Sequence, residues 1–155
     1  MPGMKTKSAL ACFVLTILLL GGCDYDEALT AKPTRRIDER FLGVWQGADA
    51  ADLMTVRQLD EFHYIVAMDD DIYRASHSGL TGADLLSVQE LGGDRKYVYA
   101  TAAVSADGRQ LTVRLINGKI VSDKIKGRAA LQKVITANLA NPDLFNEAVI
   151  FTRKK

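Results

Sequence analysis

The chain has 155 residues, 48 % of them apolar, and its 20 basic and 19 acidic side chains leave a formal net charge of +1. That length suits one ordinary domain, and the near-neutral balance offers no nucleic-acid footprint, which would need a strong positive bias on one face. The cysteines, Cys12 and Cys23, both fall in the first 23 residues, which excludes a disulfide framework for the rest.

In Met1–Cys23, Lys5 and Lys7 precede an uncharged, mostly apolar run from Ser8 to Leu20, and no acidic residue comes before Asp24. A basic start, an apolar middle and small closing residues are the layout of a secretory signal peptide. Spanning a bilayer core takes roughly 20 apolar residues, and Ser8–Gly22 is only 15 long. Leu20-Gly21-Gly22-Cys23 resembles the lipobox of bacterial lipoproteins. The resemblance implies cleavage before Cys23 and a diacylglyceryl thioether on its sulfur. Two or more acyl chains hold a protein to a bilayer stably, where one holds it only marginally. Asp24 is similar to the sorting residue that keeps lipoproteins of enteric Gram-negative bacteria in the inner membrane. The expected organisation is a signal peptide over 1–22, a lipidated cysteine with a tether over 23–40, and a folded domain over 41–155. The expected location is the bacterial cell envelope, lipid-anchored and facing the periplasm, with the inner membrane favoured over the outer. Losing Lys5 and Lys7 turns the net charge to −1 and leaves no thiol in the domain. Its stability must then come from the core alone.

Asp24–Arg40 has no sustained apolar period and contains Pro33. It reads as a tether with a reach of about 20 Å, with a short helical turn near Arg36–Phe41; the alternative is that part of it packs on the domain. From Phe41 onward, short strand-like runs alternate with turns. Leu53–Leu59 alternates, and Phe62, Tyr64, Val66 and Met68 form the next apolar face after Asp60-Glu61. Asp69-Asp70-Asp71 makes a break, and Ile72–Ser78 and Ala83–Glu90 flank the turn at Gly79–Gly82. Gly92-Gly93-Asp94 leads into Lys96–Ser105. Asp107-Gly108 then separates that run from Arg109–Ile116. An Asp-Gly pair between alternating runs is a strong hairpin signal, because primed turns need positive φ.

Leu131, Val134, Ile135 and Leu139 fall on one stripe of a 3.6-residue period, and this predicts a helix. Asn141-Pro142 ends it, and Ala148–Arg153 reads as the last strand. The pattern therefore predicts a mainly β fold, an antiparallel barrel of about eight strands with one α-helix before the last. Strands of that number close into a barrel or form a sandwich, and the barrel is favoured because closure removes exposed edges.

Phe41-Leu42-Gly43-Val44-Trp45 resembles the Gly-x-Trp signature that opens lipocalins and lipocalin-like barrels. Tyr73–Leu91 and Asn141–Phe145 are similar to segments of uncharacterised envelope lipoproteins with lipocalin-like domains. The resemblance implies that Trp45 is a barrel plug covered by an arginine from a late strand. Arg114 and Arg153 are both candidates for that cover.

The candidate chemistry is sparse. His63 and His77 are the only histidines, and their spacing matches no zinc motif. Asp69-Asp70-Asp71 lacks the spacing of an EF-hand loop and reads as a solvated turn. Ser76-His77-Ser78 lies in a strand-like run, where neighbouring side chains face opposite ways, so a hydrolase is the weakest reading and no enzyme is expected. No cofactor or metal is expected either. An eight-stranded barrel is either filled by its own side chains or holds one small ligand. The inward pool is Tyr64, Val66, Met68, Tyr97, Tyr99, Leu111, Val113 and Leu115, although alternation does not say which face of each strand is inner. The expected partners are the bilayer, through acylated Cys23, and a small apolar ligand. The alternative is a filled barrel that binds an envelope protein or serves as a structural part of an envelope complex.

Overall fold

The computed structural model describes residues 24–155, so the expected signal peptide over 1–22 and the expected lipidation at Cys23 lie outside the described residues. Eight antiparallel strands follow one another around a closed barrel. They are β1 (Gly43–Gln46), β2 (Leu53–Gln58), β3 (His63–Met68), β4 (Asp71–His77), β5 (Leu86–Glu90), β6 (Tyr97–Val104), β7 (Gln110–Leu115) and β8 (Val149–Arg153). One α-helix, α1 (Arg128–Ala137), stands in the long connection before β8. The fold is thus the mainly β barrel that the meander predicts, with its helix in the predicted place. No helix among the described residues is long and apolar enough to cross a membrane.

The period of two along each strand sets the faces. Across the ladders Met54 pairs with Met68, Val56 with Val66, Tyr64 with Ala75, Val88 with Val98, and Ala102 with Val113. These rows point inward and form one wall. At the β3–β4 end of the barrel the turn is only Asp69-Asp70, with Asp69 at φ 52°, a conformation that a short polar side chain tolerates. At the opposite end, Asp107-Gly108 turns β6 into β7 with Gly108 at φ 71°.

Closure is narrow. The β1–β8 seam consists of two residue pairs, Trp45 with Arg153 and Gln46 with Thr152, whereas β3 and β4 share six. Other contacts must hold that seam, and the Arg153 side chain supplies them, as described below.

The apolar residues divide into two cores. The inner one closes one end of the barrel and includes Phe41, Trp45, Met54, Val56, Tyr64, Leu111 and Phe151. The outer one lies outside the wall, where α1 presents Leu131 and Ile135 to Tyr99, Leu85, Ile116, Val121 and Leu144.

The segment before the barrel corrects the tether expectation. Tyr25 is buried, stacks on Tyr99 with ring centroids 4.4 Å apart, and exchanges two 2.8 Å backbone hydrogen bonds with Tyr97. Leu29 is fully buried, and its N–H donates to Ser87 Oγ at 2.9 Å. From α1, Arg128 Nε donates to Ala28 O and Gln132 Nε2 to Leu29 O. Thr34 and Ile37 donate backbone hydrogen bonds to His77 and Glu61, and the predicted turn forms as a 3-10 helix at Glu39–Phe41. The chain therefore lies along the barrel wall as a strap from Tyr25 to Phe41. An irregular, bent segment laid on an uneven surface anchors through isolated residues, so it shows none of the periodicity by which helices and sheet strands are read.

Candidate functional site

One end of the barrel is sealed by a knot around Trp45. Its indole is fully buried, and Nε1 donates to Phe41 O at 2.8 Å. Arg153 lies over the ring with its guanidinium carbon 4.2 Å from the centroid, a cation–π contact. The same guanidinium donates to Gly108 O, Leu42 O and Arg40 O at 2.6–2.7 Å. One side chain thus ties β8, the β6–β7 turn and the 3-10 turn together. Gly43 makes room for it: its φ is +139°, and a Cβ there would stand 2.7 Å from Arg153 Nη1. The geometry chooses Arg153 over Arg114, which instead lies 5.6 Å from the Phe145 ring.

Beside the knot, Tyr64 extends to a buried polar chain. Its hydroxyl accepts from Asp38 N–H at 2.6 Å and lies 2.8 Å from His77 Nε2. His77 Nδ1 lies 3.0 Å from Asp84, which also forms a salt bridge with Arg35. An ionised carboxylate only accepts, so His77 donates from Nδ1 and accepts the Tyr64 hydroxyl's hydrogen bond at Nε2. Burial pushes the His77 imidazole below its ordinary value, against the pull of Asp84. Burial would raise Asp84, but the hydrogen bond from Arg35 and the neighbouring His77 outweigh it and hold the carboxyl low. Both ring nitrogens of His77 are engaged here. Ser78 Oγ turns away to Thr30 and Ser87. His63, by contrast, pairs with Asp60 near the surface at 2.9 Å.

Above this floor the barrel is hollow. The cavity holds about 290 Å³ and is lined by inward residues of β2 to β7 together with Phe41. Ala75, Ala100 and Ala102 supply small side chains to its wall, and this is why the space is not filled. Of the predicted inward pool, Tyr64, Val66, Met68, Leu111, Val113 and Leu115 line the cavity. Tyr97 and Tyr99 do not, and they correct the prediction for β6. That strand turns Val98, Ala100 and Ala102 inward, and its tyrosines meet the strap and helix outside. Tyr99 is buried there, which raises its phenol, and its hydroxyl donates to Glu27 O at 2.6 Å. Sequence reasoning missed Phe41, Met54, Val56, Ala75, Leu86 and Val88 on the cavity wall. For Met54 and Val56 the signal was present in the alternation of β2.

The open end is polar. Asp24, Asp71, Tyr73, Glu90 and Lys96 surround it. Among the described residues no group of three His, Cys, Asp or Glu side chains is placed to hold a metal ion. Comparison with protein-family models, curated protein sequences and solved structures returns no match.

Proposed function

We propose that this chain is a lipid-anchored envelope lipoprotein with a lipocalin-like barrel that binds one small apolar ligand. The observation that carries the reading is the cavity, about 290 Å³ and walled mostly by aliphatic side chains. Binding pockets for small molecules are apolar clefts of roughly 300–1,000 Å³ with a few polar groups to set orientation, and this one sits at the small end. The Gly43-x-Trp45 pair under Arg153 adds support, because the lipocalin resemblance implies such a covered plug. The anchor is the acylated Cys23, with Asp24 as the inner-membrane sorting residue. Because Tyr25 is bonded to Tyr97 and Asp24 lies at the cavity mouth, acyl chains on Cys23 would hold that mouth close to the bilayer. A ligand leaving the membrane would then have only a short path to the barrel.

The test is titration of the purified protein with an environment-sensitive apolar fluorophore. Saturable one-to-one binding is expected, and it should vanish in Ala102→Phe, which fills the cavity, while the circular dichroism spectrum is kept. Absence of saturable binding in the unaltered protein overturns the reading. The anchor has a separate test: a palmitate analogue should label the protein in cells, and Cys23→Ala should abolish that labelling.

A further inference from the structure

The cavity is apolar along its walls and acidic at its mouth. Among the described residues, three carboxylates, Asp24, Asp71 and Glu90, line the open end beside the Tyr73 phenol and a single cation, Lys96. That cation is already engaged, since the Lys96 ammonium pairs with Asp26, which also binds Lys126 at 2.8 Å. These two lysines hold the Asp26 carboxyl down at about 2. Among the described residues, none of the three lining carboxylates forms an ion pair. Tyr73 donates weakly to Asp71 at 3.5 Å. Burial, then the charges of Asp71 and Glu90, push its phenol up to about 12, so it stays a neutral donor.

The short turns at this end carry more of the same sign, while the longer β7–β8 connection, which leaves from the same end, adds Lys119, Lys124 and Lys126 against Asp123. Asp49 and Asp52 lie between β1 and β2, and Asp69 and Asp70 between β3 and β4. Asp94 and Arg95 lie between β5 and β6. A head group at the mouth therefore meets net negative charge beside a low-dielectric interior, where field lines concentrate and charge pairs interact strongly.

We infer that the cavity takes a single-chain amphiphile with a cationic head. The chain fills the barrel, the ammonium rests between Asp71 and Glu90, and the carboxylate of a fatty acid is disfavoured. The inference rests on the cavity-binding reading above and names its ligand class. The site is the cavity, and the carboxylates decide which head it accepts.

Trp45 is the only tryptophan of the chain and packs in the inner core with the cavity-lining Phe41 and Met54, so its fluorescence reports a chain tip that presses on the floor. The full chain, kept in solution by a non-ionic amphipathic polymer, is titrated with three amphiphiles that share one bromine-tipped undecyl chain. Their heads are trimethylammonium, hydroxyl and carboxylate. The ammonium form should quench Trp45 saturably at about tenfold lower concentration than the carboxylate form, and salt should narrow that ratio. Glu90→Gln and Asp71→Asn should each reduce the ratio. A carboxylate form that binds as tightly as the ammonium form overturns the inference, as does a ratio that neither variant alters. If the alcohol binds without any preference among heads, only the charge selection fails. If none of the three quenches, and none displaces the apolar fluorophore from the protein, the cavity-binding reading fails with it.

Discussion

The two faces of β6 meet different fates, and the contrast explains why this barrel is hollow. Inward, Val98, Ala100 and Ala102 contribute little volume to the cavity wall. Outward, Tyr97 and Tyr99 build a packed layer with Tyr25, Leu29 and the helix. A slip of one residue in register would exchange the faces and drive two tyrosines into the barrel. The apolar surface that would fill the interior of a solid barrel is spent on holding a strap and a helix outside it. The inner space is open because the outer core takes the large side chains.

This contrast can be broken first at the knot that holds the seam. Trp45→Ala should cost about 3–5 kcal/mol, the usual range for truncating a buried aromatic side chain, measured by denaturant unfolding followed by circular dichroism. A cost near zero would mean that the inner core does not secure the closed end. Next come two identical substitutions on opposite sides of the wall. Leu131→Ala in the packed outer core should cost about 2–5 kcal/mol. Leu115→Ala on the cavity wall should cost less than half as much, because that side chain already borders empty space. Equal costs would show that the interior is as full as the exterior.

Arg153→Gln should have a smaller effect, about 1–3 kcal/mol, since it deprives carbonyls at Arg40, Leu42 and Gly108 of charged donors. Faster amide exchange in Trp45 and Gln46 than elsewhere in the sheet would locate the loss at the seam.

The smallest effect concerns pH. His77 titrates below its ordinary 6.5 in the folded state, so the unfolded chain takes up the proton first as pH falls. Stability contributed by neutral His77 is complete above about 6.5 and is lost as pH drops from there toward the lower folded value. His77→Gln should flatten the stability profile over that window. An unchanged profile would show that the Tyr64–His77–Asp84 chain does not carry it.

Much of the barrel was legible because its information is local. Alternation at Leu53–Leu59 and Arg109–Ile116, the turn at Asp107-Gly108 and the stripe Leu131–Leu139 all follow from periods that a strand or helix imposes on nearby residues. The Trp45 plug was legible through its resemblance, and six cavity residues through alternation. The strap was not legible, because Tyr25 and Leu29 sit among charges with no repeating spacing. For β6 the face was not legible either: Tyr97 and Tyr99 alternate as regularly as Val98 and Ala100, and both sets are apolar enough to be buried.

The sequence by itself determined the strands, their order and the helix, since each depends on residues a few positions apart. Only the tertiary structure decided which face of β6 looks inward, which arginine covers Trp45, and that residues 25–41 wrap the wall. Those outcomes depend on volumes and hydrogen bonds shared between segments as far apart as Leu42 and Arg153, and no local pattern contains them.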